Sequence, residues 1–510
     1  MRSAGRPPRD GGALAIVLHT HMPYVEGFGT WPFGEEWLWE AMVGCYLPLL
    51  DLLDAGAPLT LSLTPVLCDQ LEAPDVAERF KSFVEDVRRH THEEDATGLR
   101  AGGHETLARE VERSWGDYER ALERFASRGE DLLGSLARHA QWTSSATHAV
   151  LPLLATDAGV RAQVRSGVRA HRARFGSQGW RGGFWLPECA HSPWLVPMLA
   201  EAGVRATCVE LTGRFGLGAP EHLRPRGGAD GVTLVPIDRA TMELVWSDGG
   251  YPAGGSYRDY HNHTIHHHNP WGNDGEAYDH VRATALAQEH AADFVARTRE
   301  RLRRAAETTP PGESLPGRGL VVCALDTELL GHWWYEGVTW LEAVVEECSR
   351  QELELVRLDD ALDRLEPAPL TDGGHQDGDG GRQDGARPAV GGSSPDREEW
   401  RASSWGQGGD LSTWSGPAVA ELAFVARAAE LEVIAAGTRA STAAARELLA
   451  LQASDWAFMV SRGLAVPYAR ERFAGHCRAL EQALAEGPDA GAEGLRNLAV
   501  HADRASLLAP

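Results

Sequence analysis

The sequence predicts a parallel β/α barrel followed by a helical domain, and two features of the 510-residue chain indicate this fold. Short apolar segments, each followed by polar residues and then a helical pattern, are typical of buried parallel strands. They are residues 14–18, 59–63, 183–186 and 320–325. The second feature is segment 418–486, which is rich in Ala, Leu, Glu and Arg at helical spacing. Because the carboxyl ends of barrel strands carry the active site, polar residues directly after these strands are catalytic candidates.

The length of the chain exceeds that of a single hydrophobic core, so we expect a large domain and at least one further domain. We assign residues 1–12 to a flexible N-terminus, 13–365 to the barrel with helical insertions, and 398–510 to an α-helical C-terminal domain. Residues 366–397 are rich in Gly, Asp, Pro and Ser and have little to bury, which predicts a flexible insertion.

The charge and composition of the chain limit the kinds of molecule that it is expected to bind. The formal net charge of −24 at pH 7 disfavours nucleic acid and anionic lipid as partners, whereas a neutral sugar polymer meets no such repulsion. We find neither an apolar run long enough to span a membrane nor a signal-peptide core. The seven cysteines are scattered and never in C-x-x-C spacing, which disfavours disulfides and structural zinc. We therefore expect a cytoplasmic protein with no cofactor, of undetermined oligomeric state.

Two motifs place polar residues just after predicted strands. His19 and His21 alternate beyond the first strand, so both can face one cavity. A buried hydrogen-bonded pair, half of a metal site and a substrate contact all remain open for them. In GFWLPECAHSPW, Glu188 follows a strand and lies between Trp185 and Trp194. Most glutamates are solvated, so this position indicates a functional carboxylate, either a nucleophile or an acid.

The segment VVCALDTELLGHWWYEG is the richest in ionisable groups. Asp326 follows its strand and precedes Glu328 and His332, and burying so many such groups without a function would be costly. Two carboxylates from separate strand ends are what glycosidic bond cleavage requires, one to attack the anomeric carbon and one to protonate the leaving oxygen. A separation of about 5 to 5.5 Å gives retention and a wider gap gives inversion, so the sequence leaves the stereochemistry open.

A loop near the predicted barrel mouth, HNHTIHHHNPWGND, contains a cluster of histidines. Zinc sites need three or four ligands in a defined geometry, and nothing in this spacing fixes one. We predict no metal site there and interpret the loop as a polar segment that can touch substrate. The cluster consists of His261, His263, His266, His267 and His268.

Together these motifs resemble glycoside hydrolase family 57. HTHMPY, TSSATHAVLPLL, GFWLPECA and ALDTELLGHWWYEG occur in the order expected of that family, and the helical region with QASDW resembles its α-glucan branching enzymes. The resemblance implies an α/β fold, with an incomplete (β/α)7 barrel followed by an α-helical C-terminal domain. It also implies that Glu188 is the nucleophile and Asp326 the general acid/base of a retaining enzyme acting on α-glucan.

The resemblance further implies a substrate-binding set, in which histidines line the sugar pocket and tryptophans surround the acceptor cleft. We expect the rings of Trp405 and Trp414 to be exposed because their loop is Gly-rich and flanked by Ser. Two departures are Leu464, where the branching members usually have glutamine, and a loop after Glu210 that lacks the tyrosine used by some of those members. The predicted set is His19, His21, Trp31, His148, Trp185, Arg239, Trp246, Gly254, His332, Trp405, Trp414 and Asp455.

The activity expected from this resemblance is that of a 1,4-α-glucan branching enzyme, which transfers a cleaved chain to a glucan 6-hydroxyl. A family 57 hydrolase or 4-α-glucanotransferase would use the same carboxylates. A non-catalytic glucan-binding protein would keep the aromatic cleft without needing them. A metal-dependent deacetylase on a related barrel is a third alternative, suggested by the clustered histidines.

Overall fold

The computed structural model describes residues 11–28, 34–176, 179–227, 229–308, 319–369, 402–491 and 497–508. The strands of this described part belong to one sheet. In chain order they are β1 (Ala13–Thr20), β2 (Thr60–Leu63), β3 (Ala140–Ser144), β4 (Gly183–Trp185), β5 (Ala206–Val209), β6 (Arg226–Gly227), β7 (Thr233–Pro236), β8 (Leu320–Asp326), β9 (Glu354–Leu355) and β10 (Ala368–Pro369).

Seven of these strands run parallel in the order β7, β5, β4, β3, β2, β1, β8. The two ends of this series approach each other where the Asp238 amide donates to the Val322 carbonyl oxygen at 2.9 Å. Strand β6 pairs antiparallel with β7, β10 pairs with β6, and β9 lies beside the start of β1. The fold is therefore the incomplete (β/α)7 barrel that was expected, followed by a helical region.

The apolar runs explain why the strands form where they do. Residues 14–18 and 320–325 are at most 1% exposed, because helices cover one face of the sheet and the barrel interior covers the other. Strands buried on both faces are continuous apolar runs rather than alternating ones. The four strands predicted from such runs are confirmed as β1, β2, β4 and β8.

The helices surround this sheet and continue into the C-terminal region. Two π-helical turns, Met42–Tyr46 and Phe83–Arg88, join neighbouring helices. The α-helices are α1 (Glu35–Ala41), α2 (Leu47–Asp54), α3 (Pro65–Leu71), α4 (Val76–Ser82), α5 (Arg89–Ala101), α6 (Glu105–Ser127), α7 (Leu132–Leu136), α8 (Asp157–Phe175), α9 (Val196–Glu201), α10 (Thr212–Phe215), α11 (Arg239–Trp246), α12 (His280–Thr308), α13 (Gly337–Arg350), α14 (Leu358–Leu362), α15 (Ser412–Ser415), α16 (Ala420–Ala436), α17 (Thr442–Leu451), α18 (Ser454–Arg462), α19 (Val466–Glu486) and α20 (Arg504–Leu507).

A buried carboxylate joins the C-terminal helices to the barrel. Glu430 on α16 accepts hydrogen bonds from the Thr156 hydroxyl at 2.6 Å and the Ala155 amide at 3.0 Å, at the start of α8. Gln452, at the end of α17, donates to the same carboxylate at 3.0 Å. The Ser454 amide then donates to the His148 carbonyl oxygen at 3.1 Å. These contacts fix the N-terminus of α18 at the carboxyl ends of the barrel strands.

Most of the predicted flexible insertion, 366–397, lies outside the described residues, as do residues 1–10 of the predicted N-terminal segment. Of the insertion, residues 366–369 are described, and Ala368 and Pro369 form the short strand β10. No helix in the described part of the chain is both long enough and apolar enough to cross a membrane.

Candidate active site

Glu188 lies in a tight turn that follows β4. It adopts left-handed backbone angles, φ 62° and ψ 20°, and Cys189 follows with φ 49°. Such angles cost a non-glycine residue about 1–3 kcal/mol and occur most often where a side chain must be aimed at a site. The Glu188 carbonyl oxygen accepts from the Trp405 amide at 3.0 Å, which ties the turn to the loop before α15.

Both carboxylate oxygens of Glu188 accept hydrogen bonds from C-terminal residues. The Trp405 indole N–H donates to Oε2 at 2.9 Å, and the Ser454 hydroxyl donates to Oε1 at 3.0 Å. Burial raises the pKa of Glu188, and these two donors oppose that rise because they stabilise the ionised form. The arrangement suits a carboxylate that must be charged in order to attack.

Asp326 ends β8 and pairs in register with His19 on β1. Burial, together with the nearby charge of Glu188, raises the pKa of Asp326 to about 8. At neutral pH the Asp326 carboxyl group therefore holds a proton. The charge of an ionised Glu188, by contrast, is stabilised by two hydrogen-bond donors. Burial raises the pKa of both carboxyl groups, but only Glu188 has two side-chain donors that oppose the rise, so the two groups can divide the tasks of nucleophile and acid.

A chain of hydrogen bonds runs from Glu188 through Ser454 and His148 to His19. An ionised carboxylate can only accept, so Ser454 donates to it, and the Ser454 oxygen accepts from Nδ1 of His148 at 2.8 Å. Neutral His148 then accepts at Nε2 from Nε2–H of His19 at 2.9 Å. Burial lowers the pKa of both histidines, which keeps them neutral and gives every link one donor and one acceptor.

His21 is the histidine of this group whose pKa is raised. Its Nε2 lies 2.8 Å from Oδ1 of Asp455 on α18, and its ring stacks on His148 with 3.9 Å between centroids. Burial alone would lower the pKa of His21, but Asp455, Glu328 and Glu188 raise it above the usual value. The Asp455 side chain thus connects the C-terminal helices to the histidines of β1.

Glu328 is a third buried carboxyl group, which the sequence interpretation did not assign to the site. It accepts from the Tyr46 hydroxyl at 2.6 Å and from the His21 amide at 3.1 Å. Burial, with the charge of Asp326 beside it, raises the pKa of Glu328 to about 8. It holds the backbone of the His21 segment and lies on the same turn as Asp326.

The two tryptophans nearest Glu188 differ in exposure. Trp185 is completely buried and stacks under His19 at 4.6 Å between centroids. Trp405 is half-buried, lies 5.0 Å from Trp185 and is held by Arg239, whose Nη1 donates to its carbonyl oxygen at 2.8 Å. The predicted residues Arg239 and Trp405 therefore belong to one structural unit at the mouth of the site.

Trp246, Gly254 and His332 are three further residues of the predicted substrate-binding set. Trp246 at the end of α11 is 43% exposed, so it is not a core residue. Gly254 packs closely, since a Cβ there would lie 2.8 Å from Leu286 and 3.0 Å from the Tyr257 ring. His332 is half-buried, and burial lowers its pKa to about 4.

Trp414, whose ring was expected to be exposed, is buried. Only 3% of its surface is exposed, so the prediction that its ring is exposed is wrong. It packs with Val150 and Ala190, and a Cβ on Gly406 would lie 2.8 Å from its ring. Gly406 is therefore required where the loop packs closely against this indole. Trp31 lies outside the described residues.

The side chains of His21, His148 and Asp455 lie close enough to be considered as a metal site, since their ligand atoms are all within 4.8 Å of one another. Each already has a protein partner, however: His21 pairs with Asp455, and His148 bonds to Ser454 and His19. The donor set fits a hydrogen-bonded network that supports the carboxylates better than it fits a metal centre.

Ser454 was missed by the sequence interpretation although it lies within QASDW, and its role gives a test. In Ser454→Ala, Glu188 loses a donor to its ionised form, so we expect its pKa to rise and the acidic limb of the activity–pH profile to move to higher pH. A hydrogen bond to a charged group contributes about 1.5–3 kcal/mol, so activity at neutral pH should fall roughly tenfold or more. Ser461→Ala, at a partly exposed position of α18 where the hydroxyl donates only to the Phe458 carbonyl oxygen, is the matched control. An unchanged acidic limb would contradict the role of Ser454.

Comparisons with known protein families match two parts of the chain. Residues 142–372 match glycosyl hydrolase family 57, and residues 419–497 match the C-terminal region of 1,4-alpha-glucan branching enzymes. The first match contains both Glu188 and Asp326, and the second contains Ser454 and Asp455. The hydrogen bond between Ser454 and Glu188 therefore joins the two matched regions.

Three relatives extend the similarity over nearly the whole chain. The 1,4-alpha-glucan branching enzyme of Thermococcus kodakarensis is 31% identical, over 92% of this chain and 72% of the relative. A Mycobacterium tuberculosis protein named as a probable 1,4-alpha-glucan branching enzyme is also 31% identical, over 93% of each chain. The crystal structure of the family 57 branching enzyme from Pyrococcus horikoshii superimposes with a TM-score of 0.79 at 29% identity, over 92% of this chain and 89% of that one.

Proposed function

The chain belongs to glycoside hydrolase family 57, and from that premise we propose that it is a retaining 1,4-α-glucan branching enzyme. Glu188 is the nucleophile and Asp326 the acid/base in this proposal. The observation that carries it is the unequal surroundings of the two carboxyl groups: Glu188 accepts from two side-chain donors that stabilise its charge, whereas burial beside Glu188 raises the pKa of Asp326 to about 8. The partner is an α-glucan, and the proposed location is the cytoplasm.

In the first half-reaction, Glu188 attacks the anomeric carbon of an α-1,4-linked glucose unit. Asp326 transfers its proton to the departing 4-oxygen, so the glycosidic bond breaks and the released chain leaves with a hydroxyl group. The product is a covalent ester between the glucan and Glu188. Ser454 and Trp405 stabilise the carboxylate before attack, and their hydrogen bonds weaken as its charge is lost.

In the second half-reaction, Asp326 is ionised and accepts the proton of an incoming 6-hydroxyl. The 6-oxygen attacks the anomeric carbon, Glu188 leaves as a carboxylate, and an α-1,6 bond forms with retained configuration. Water would give hydrolysis instead, so the site must hold an acceptor sugar and exclude water. The half-buried ring of Trp405 and the exposed ring of Trp246 offer surfaces for that acceptor.

The nearest alternatives, a family 57 hydrolase and a 4-α-glucanotransferase, would use the same pair and differ only in the acceptor. Matches of both the catalytic region and the C-terminal region to branching enzymes favour branching. Leu464, where the branching members have glutamine, is 45% exposed just after α18, so one sugar contact is expected to differ. A non-catalytic binding protein would have no need for a buried, protonated Asp326 beside Glu188.

The proposal is tested by incubating the protein with amylose and measuring new linkages. We expect the proton NMR spectrum to gain α-1,6 anomeric signals while a reducing-sugar assay changes little, because transfer conserves the number of reducing ends. Glu188→Gln should give neither signal. Reducing sugar without α-1,6 signal would identify a hydrolase, and new chain lengths without α-1,6 signal would identify a 4-α-glucanotransferase.

A further inference from the structure

A cavity of about 240 Å³ lies at the base of the barrel, where the strands begin. Its lining includes Ala140, the first residue of β3, and Trp180 and Arg181, which precede β4. Glu188 follows the other end of β4, so this cavity and the proposed nucleophile lie at opposite ends of the same strand. The cavity is therefore separate from the substrate cleft.

Arg357 lines this cavity and has no protein partner for its charge. It is half-buried just before α14, and its buried Nε has no hydrogen-bond partner among the described residues. Its guanidinium group also forms no ion pair within the described part of the chain. Partly burying a charged donor without a partner is costly. Because a guanidinium fork matches the paired oxygens of phosphate and carboxylate groups, Arg357 indicates an anionic ligand.

Two neutral side chains of the same lining also have hydrogen-bonding groups to spare. His171 is 3% exposed, and its Nδ1 has no partner among the described residues. The Oε1 atom of Gln141 accepts from the Leu61 amide at 2.9 Å, which leaves the NH2 group of Gln141 as a donor. A buried polar atom without a partner is costly, so a ligand that supplies acceptor oxygens would satisfy both side chains.

The charges around His171 favour a negative ligand. Burial, with the charges of Arg172 and Arg174, lowers the pKa of His171 to about 4, so the ring is neutral at pH 7 and has one N–H donor. The same positive charges that oppose an added proton attract an anion to this place. Arg138 also lines the cavity, although it is 65% exposed and lies 3.2 Å from Asp54.

The two carboxyl groups of the lining are already engaged by protein donors. Asp360 lies 2.7 Å from Arg181 in an ion pair. Asp359 accepts from the Trp142 indole N–H at 2.9 Å, and burial raises the pKa of Asp359, which reduces its negative charge. The groups of the cavity that remain without protein partners are therefore donors, and an oxyanion is complementary to them.

We propose that this cavity binds a small oxyanion of the phosphate class, with Arg357, Gln141 and His171 donating to its oxygens. At roughly 30 Å³ for each water molecule, the cavity has room for a phosphate group and several further atoms, so a phosphate ester of a small molecule fits as well as free phosphate. The ligand is not the substrate, because the site lies at the end of the barrel away from Glu188. The proposal does not depend on which reaction the carboxylates catalyse.

The test is calorimetric titration of the whole protein with inorganic phosphate and with glycerol 3-phosphate at constant ionic strength. The formal net charge of −24 disfavours anion binding over the rest of the surface, so we expect saturable binding at one site. Arg357→Met should weaken this binding about tenfold or more, the loss expected when a hydrogen bond to a charged group is removed. Arg439→Met removes the same charge at an exposed position outside the cavity and should leave binding unchanged.

Tighter binding of glycerol 3-phosphate than of inorganic phosphate would identify a phosphate ester as the ligand, and equal or weaker binding would identify free phosphate. The absence of saturable binding for both probes, or equal affinities of the Arg357→Met and Arg439→Met proteins, would overturn the proposal. If Arg357→Met does not fold, His171→Phe keeps an aromatic ring and removes both ring nitrogens. We expect that variant to bind the probes more weakly, and an unchanged affinity would reject the site.

Discussion

Glu188→Gln is expected to lower the rate of α-1,6 bond formation from amylose by about 10⁴-fold or more, the largest effect of any single change in the chain. The glutamine side chain is nearly the same size as that of Glu188 and can still contact Trp405 and Ser454. Its amide, however, is too weak a nucleophile to form the covalent glycosyl ester. The rate is measured by proton NMR at saturating amylose. Because the fold depends on burial rather than on this charge, we expect the thermal unfolding midpoint to change little.

The matched control is Glu201→Gln, which removes the charge of an exposed glutamate on α9 whose side chain is 44% exposed. It should retain the wild-type rate. A Glu188→Gln protein that branches amylose within tenfold of wild type would show that another group attacks the anomeric carbon.

Asp326→Asn is expected to lower the rate on amylose by about 10²–10⁴-fold, the usual contribution of a general acid. With a maltosyl fluoride the result should differ, because fluoride leaves without being protonated. Attack by Glu188 then continues in the variant, and fluoride is released in a burst before the slow second step. The measurement is fluoride release followed from the first turnover, with amylose as the second substrate.

An equal loss of the first-turnover rate on amylose and on the maltosyl fluoride would contradict the acid role of Asp326, since the departure of fluoride in that step needs no proton. Asp360→Asn serves as the control, because this aspartate on α14 is 44% exposed and pairs with Arg181 on the surface. Its rates should match those of the unaltered protein.

The barrel could be predicted because its longest strands are uninterrupted apolar runs. Strands β1 and β8 are buried on both faces, and this burial is visible in the sequence as continuous Leu, Val, Ile and Ala. Strand β3 (AQWTS) was not predicted because it contains polar residues whose partners are distant. Ser144, for example, donates to the Trp185 carbonyl oxygen at 2.8 Å on the neighbouring strand.

The carboxylates could be predicted because each directly follows a strand, but the groups that tune them could not. Ser454 is 266 positions from Glu188 in the chain, and Tyr46 is 282 positions from Glu328. Such pairs form only when the helical region docks on the barrel, so local sequence patterns carry no signal for them. For Trp414 the glycine-rich loop suggested an exposed ring, whereas Gly406 of that loop makes room for a buried one.

The central claim, double displacement through Glu188, is tested most directly by finding where the sugar becomes attached. Asp326→Asn is mixed with maltosyl fluoride, quenched in acid, digested and analysed by mass spectrometry. We expect a peptide carrying a maltosyl ester on Glu188, and no such peptide from the Glu188→Gln, Asp326→Asn double variant. A sugar attached to Asp326 or Glu328, or fluoride release with no covalent sugar on the protein, would contradict it.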